Sequence, residues 1–298
     1  MESHAALSLT FSEGMEPRTT GDAIALSPAV EFRRLRWSGR TVTIDLAKPL
    51  EARRSYTLFV GRGAHDRHGN NMVAGATVVF TTGDTLPAGL IEGRLDAKGF
   101  AAEGVYLWCY DQARHTTPDS TGRDFDAVGL VDAEGRFRIP ALPVPARYRI
   151  WAFADQNQNR SFEPERDLLA PIDTTISLTA SEPVARNLEF HVVNPRAPAS
   201  VKGTVLDSLG DKEGTVWVMA TADTDTTRIV MATPNDEHRW EMQLDPGGWT
   251  LRAFRDLDRN RDWARGRESA SDPHHVRAEA AGLIEGIELV LRPPARAP

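Results

Sequence analysis

Apolar and polar residues alternate along most of this chain. The period of two runs through "TVTIDL" (Thr41–Leu46), "SYTLFV" (Ser55–Val60), "TVVFTT" (Thr77–Thr82) and "RFRI" (Arg136–Ile139). It returns in "YRIWAF" (Tyr148–Phe153), "TVWVMA" (Thr215–Ala220) and "IELVLR" (Ile287–Arg292). Successive side chains of a strand point to opposite faces, so this period predicts half-buried strands. Turn signals such as "SGR", "RHGNN", "DAEG" and "DPGG" separate the runs. Helical periodicity is scarce. The Ala/Glu-rich part of "SASDPHHVRAEAAGLIEG" is confined between Pro273 and Gly282. Many short strands with regular turns predict an all-β chain of sandwiches.

Two proline-containing connectors, "GDTLPAG" (Gly83–Gly89) and "NPRAPAS" (Asn194–Ser200), divide the chain into three segments. The second and third read as copies of one another. "IEGRL" around Gly93 matches "VKGTV" around Gly203, and "GVYLW" at Gly104 matches "GTVWV" at Gly214, both 110 residues on. Phe137 matches Trp240, Phe153 matches Phe254, and Leu188 matches Ile287. The spacing shrinks along the pair, as it does when loops of the first copy are longer. A repeat of this length is a whole small domain. The expected domains are 1–84, 88–195 and 199–294. The tail "RPPARAP" reads as a linker or a frayed end.

The composition narrows the function. At 298 residues, 41% hydrophobic and 26% charged, the chain is that of a folded protein of two or three domains. A net charge of −7 without a basic stripe argues against nucleic acid. No apolar run is long enough for a membrane span, and "MESHAALSLTFSEG" is not a signal peptide. The single cysteine, Cys109, excludes an intrachain disulfide. It shares a strand face with Val105 and Leu107, which predicts a buried core thiol.

The strings "LSLTFSEGMEP" (Leu7–Pro17), "GRTVTIDLAKPLEARRSYTLFV" (Gly39–Val60), "DRHGNNM" (Asp66–Met72) and "VVFTTG" (Val78–Gly83) follow one another in the first segment. In this order they resemble the bacterial Ig-like domain of surface-layer-type proteins, over roughly residues 5–84. That family begins with a further strand before "LTFSE". The resemblance therefore implies a first strand missing from this chain. In the later segments, "DAEGRFRIPALPVPARYRIWAF" (Asp132–Phe153) and "DEHRWEMQLDPGGWTLRAF" (Asp236–Phe254) resemble the carboxypeptidase regulatory-like, transthyretin-like sandwich. The fold expected is three tandem β-sandwiches, one Ig-like and two transthyretin-like. Such domains usually serve as accessory modules.

One pattern carries candidate chemistry. "AFRDLDRNRDWARGRE" (Ala253–Glu268) and "AFADQNQNRSFEPERD" (Ala152–Asp167) each follow a strand ending in Ala-Phe. Alternating hard oxygens in a tight loop converge on one centre, as calcium requires. The third segment offers the Asp256, Asp258 and Asn260 side chains, the Asp262 backbone carbonyl and a closing Glu268. The second offers Asp155, Asn157, Asn159, the Ser161 backbone and a closing acid, Glu163, Glu165 or Asp167, with one carboxylate fewer at its alternating positions. The match to an EF-hand-type loop is imperfect. Arg160 and Arg261 stand where glycine is expected, and Arg166 and Arg267 where the closing acid is expected. Those arginines offer a second reading, a polar turn in which they pair with the loop's own carboxylates and no ion is needed.

Other features are weaker. "HDRH" (His65–His68) lies in a turn and lacks further zinc ligands. Neither a nucleophile elbow, a zinc-protease motif, a phosphate loop nor a dinucleotide fingerprint occurs. The expectation is a non-enzymatic structural, spacer or adhesive module of a bacterial exported or cell-envelope protein, possessing calcium-stiffened corners if the loops bind metal. Its partner would be a protein or glycan at the cell surface, and the isolated chain a monomer. The competing class is a carbohydrate- or peptide-binding accessory region of a larger secreted enzyme. Exposed tryptophans clustered on one face would favour that class.

Overall fold

The computed structural model describes residues 6–73, 75–114, 117–118, 125–157, 162–209 and 213–294. These form twenty strands and one short helix, in six sheets. The chain is all-β, with three two-sheet sandwiches following one another in sequence. Contacts divide it into two compact units, Met1–Ala97 with Ala101–Val192, and Lys98–Phe100 with Val193–Pro298.

The first sandwich comprises β1 (Ala6–Thr10), α1 (Pro17–Ala23), β2 (Ile24–Ser27), β3 (Phe32–Ser38), β4 (Thr41–Leu46), β5 (Ser55–Val60) and β6 (Ala76–Thr81). Its sheets run β1-β4-β3 and β2-β5-β6. Met15, Val42, Ile44, Tyr56 and Leu58 fill the space between them. The helix went unread in the sequence because "PRTTGDA" carries a glycine and β-branched threonines, which are poor helix formers. Its cap supplies what propensity lacks. The Glu16 carboxylate accepts the Thr19 N–H at 2.7 Å, and Pro17 sits where a missing N–H costs nothing.

The second sandwich comprises β7 (Gly89–Lys98), β8 (Tyr106–Asp111), β9 (Ala127–Leu130), β10 (Arg136–Leu142), β11 (Ala146–Ala154), β12 (Leu168–Leu178) and β13 (Val184–Val193). Its sheets run β10-β7-β13 and β12-β11-β8-β9. Val105, Leu107 and Cys109 are all buried, and burial pushes the Cys109 thiol well above its ordinary range. The outer face of the four-stranded sheet is also buried. There Tyr106, Trp108, Tyr110 and Phe153 cluster with Phe59 of the first sandwich. Phe59 and Tyr106 meet at 5.8 Å between ring centres. Ser27 Oγ donates to the Phe125 carbonyl at 3.3 Å, and Arg62 pairs with Glu103 at 3.1 Å. These contacts join the first two sandwiches into one unit. They also explain why β5 is buried on both faces, although its sequence alternates.

The third sandwich comprises β14 (Ala199–Leu206), β15 (Thr215–Ala222), β16 (Ile229–Ala232), β17 (Arg239–Leu244), β18 (Gly247–Asp256), β19 (His274–Ala278) and β20 (Leu283–Val290). Its sheets run β17-β14-β20 and β16-β15-β18-β19, the order of the second sandwich advanced by seven strands. The repeat is also visible atom by atom. A Cβ on Gly93 would lie 2.1 Å from the Leu188 carbonyl oxygen, and one on Gly203 would lie 2.3 Å from that of Ile287. Both glycines therefore admit a close strand crossing. Phe137 stands opposite Gly93, as Trp240 does opposite Gly203.

The gapless match of "GVYLW" to "GTVWV" needs one correction. Gly104 and Gly214 agree, with φ of 82° and 85°. In the following strand, however, Tyr106 faces Phe153 while Trp217 faces Phe254. Tyr106 is thus equivalent to Trp217, one residue beyond the gapless alignment. A slip of one would have put core residues on the outer face.

Candidate metal centre

The loop after β18 folds on its own polar groups. The Asp256 carboxylate accepts the backbone N–H of Asn260 at 3.2 Å and of Arg261 at 3.0 Å. Asp258 accepts the backbone and side-chain amides of Asn260 at 3.2 and 3.1 Å. Asn260 Oδ1 in turn accepts the Asp262 N–H at 2.7 Å. Glu268 closes the loop by accepting Leu257 N–H at 2.8 Å and Ala264 N–H at 2.9 Å, one on each oxygen. It thereby ties the start of the loop to its return.

This folding gathers carboxylates. One oxygen each from Asp256, Asp258 and Glu268 lies within 4.8 Å of the other two. Asp256 and Glu268 are 2% and 3% exposed, while Asp258 is open to solvent. Asn260 and Asp262 belong to the same turn, but the Asp262 carboxylate does not join the cluster. Arg259 and Arg261 adopt φ of 64° and 62°. Arg261 thus takes the left-handed conformation that a glycine supplies in EF-hand-type loops, at a cost of about 1–2 kcal/mol.

The arginines point elsewhere. Among the described residues, none of Arg259, Arg261, Arg265 and Arg267 has an ion pair within 4.0 Å of Asp256, Asp258 or Glu268. Arg261 lies over the Trp217 ring at 5.2 Å and Arg252 over Trp263 at 4.0 Å. Arg255 pairs with Asp207. The reading in which loop arginines neutralise the loop's own acids is therefore not realised in this turn.

The loop of the second sandwich shares the closing device, and among its described residues no three acids converge. Asp167 is buried and accepts Gln156 N–H at 3.0 Å and Glu163 N–H at 2.8 Å, as Glu268 does in the next copy. Asn157 donates to Glu163 at 3.2 Å. Asp155 and Asn157 are described, whereas Asn159 and Ser161 lie outside the described residues. Among the described residues, three acids converge only in the third sandwich. The signal for the clamp was present in the sequence: Asp155 to Asp167 and Asp256 to Glu268 have the same spacing.

The other candidates have structural duties. Asp66 of "HDRH" accepts the side-chain and backbone amides of Asn70 and the N–H of His68. The Asn70 side chain, first among these, holds its carboxyl down at about 2. Phe162 stands edge-on to Phe153 at 6.3 Å, so this loop aromatic and Trp263 both cover sheet residues. None of the seven tryptophans is exposed.

Residues 1–82 match the family model of the bacterial Ig-like domain. The Ig-like match covers the first sandwich and stops short of both repeats. No curated protein matches the chain. Among solved structures, the Bacillus anthracis TIE protein is similar over 96% of this chain and 51% of its own, at 9% identity and a TM-score of 0.26. The chain thus spans about half the length of that protein. A candidate cell adhesion protein from Bacteroides ovatus aligns with 70% of this chain and 96% of its own, at 9% identity and a TM-score of 0.35. A shaft pilin from Lactobacillus rhamnosus GG aligns with 70% and 99%, at 10% identity and a TM-score of 0.28.

Proposed function

We propose that this chain is a non-catalytic structural or adhesive module of a bacterial exported or cell-envelope protein, and that its third sandwich holds a calcium ion at Asp256, Asp258 and Glu268. The Ig-like match of residues 1–82 and the tandem sandwiches support the modular part. One arrangement carries the metal part: three carboxylate oxygens within 4.8 Å of one another, with no guanidinium paired to them among the described residues. Like charges so close repel, and a cation between them reverses the sign of the interaction. An all-oxygen donor set suits calcium, which takes six to eight such ligands. Asn260, the Asp262 carbonyl and water would complete the shell. The second sandwich, with Asn157 where the third has Asp258, binds more weakly or not at all. The ion stiffens a corner, and the partner is a protein or glycan at the cell surface.

Isothermal titration of the purified chain with calcium tests this. Saturable binding that disappears in Asp256→Ala/Asp258→Ala is the expected result. Absence of heat with the wild type would remove the metal from the account and leave a polar turn.

A further inference from the structure

A cleft of the first unit opens between its two sandwiches, with a volume of about 740 Å³. That lies within the range of pockets that hold ligands. Its floor is closed by bare backbone. A Cβ on Gly61 would lie 2.8 Å from the Tyr106 hydroxyl, and one on Gly75 would lie 2.7 Å from Leu130. The apolar residues beneath, such as Tyr106 and Phe137, are already buried, so the cleft offers little to a greasy ligand. Its rim offers charge of both signs, four guanidiniums and five carboxylates. Many are committed to one another: Arg62 to Glu103 at 3.1 Å, and Arg138 to Glu92 at 3.6 Å. Arg94 and Glu189 are not. Arg94 donates to the Glu134 carbonyl at 2.9 Å, and neither has an ion pair among the described residues.

One wall of the cleft is a free strand edge. Thr77 lines it and belongs to β6, which ends the sheet β2-β5-β6 and, among the described residues, pairs with β5 alone. Ala76, Thr77 and Val78 are exposed, Val78 to 54%. An edge strand of this kind presents unpaired N–H and C=O groups that another chain can use. From these two observations we infer that the cleft receives an extended peptide segment of a partner protein, added as a strand beside β6. The main chain of the peptide supplies pairing, and its side chains supply selectivity. An acidic side chain answers Arg94 and a basic one answers Glu189. An oligosaccharide is less well served, because among the described residues that line the cleft no aromatic ring is exposed for a sugar to stack on. Among its lining residues Asp155 belongs to the second sandwich's polar loop, and none belongs to the third sandwich's carboxylate loop.

The test selects binders from a displayed library of random dodecapeptides on the full chain, then titrates the enriched peptide in synthetic form. Arg94→Glu/Glu189→Arg is compared with the wild type by titration, and its folding is checked by melting. The inference expects at least a tenfold loss of affinity in the charge-swapped variant at an unchanged melting temperature. It also expects slowed amide exchange across residues 76–81 in the wild-type complex. A peptide whose affinity ignores the charge swap, or whose complex leaves β6 exchange unchanged, overturns it. So does a library without enrichment, or a neutral oligosaccharide that binds an array of this chain and is lost in the same variant.

Discussion

The second and third sandwiches share one strand order and differ on one face. In the second, the outer face of the four-stranded sheet carries Tyr106, Trp108 and Tyr110 on one strand and Trp151 and Phe153 on the next. The equivalent positions of the third carry Trp217, Met219 and Thr221, with Arg252 and Phe254 opposite. The first of these faces is covered by another module, through Phe59. The second is covered by its own loop, which lays Arg261 on Trp217 and Trp263 on Arg252. The same scaffold thus buries an outer face in two ways. An aromatic face takes a neighbouring sheet, while a mixed face takes cations stacked on rings. The loop that performs the second task is also the loop that gathers three carboxylates.

Truncation at equivalent positions should separate the two faces most strongly. Trp108→Ala empties a packed cluster, and its unit should lose about 3–5 kcal/mol in urea unfolding. Met219→Ala, half-buried on the corresponding face, should cost about 1 kcal/mol or less. Equal losses would mean that the neighbouring module contributes nothing to the second sandwich. Calcium should act on the other side of the comparison. At a hundredfold excess over its dissociation constant, it should add about 2.7 kcal/mol to the unit containing the third sandwich and leave the first unit unchanged.

The clamps should behave alike without metal and differently with it. Glu268→Gln and Asp167→Asn each turn an amide NH2 towards a backbone N–H, and each should cost about 1–3 kcal/mol in chelator. Only Glu268→Gln should also abolish the response to calcium. The smallest effect concerns acid. Asp66 has its carboxyl lowered from 3.8 to about 2, so its contribution is complete above the ordinary value and is lost as pH falls towards the folded one. Asp66→Asn should therefore flatten the loss of first-unit stability between about pH 4 and about pH 2. Parallel acid limbs in variant and wild type would contradict that assignment.

Much of this was legible because strands advertise themselves. Alternation placed β4 and β5 at their observed bounds, and the glycines that admit a strand crossing, Gly93 and Gly203, anchored the repeat. What escaped depends on non-local facts. No local signal says that Phe59 lies under a neighbouring module, because alternation reports one buried face and β5 has two. The helix at Pro17 rests on a cap and on burial of Thr20 and Ala23 rather than on propensity. The candidate site was half legible. The spacing put Asp256, Asp258 and Glu268 in one loop, but where its arginines turn depends on Trp217, a strand distant in sequence.

Scanning calorimetry of the full chain, with calcium and with chelator, tests the central claim most directly. Two transitions are expected, one for each compact unit. Calcium should raise the transition of the unit that holds the third sandwich, and Asp256→Ala/Asp258→Ala should hold that transition at its chelator value. A transition that calcium does not move in the wild type, or moves equally in the variant, would contradict a metal-stiffened corner at this loop.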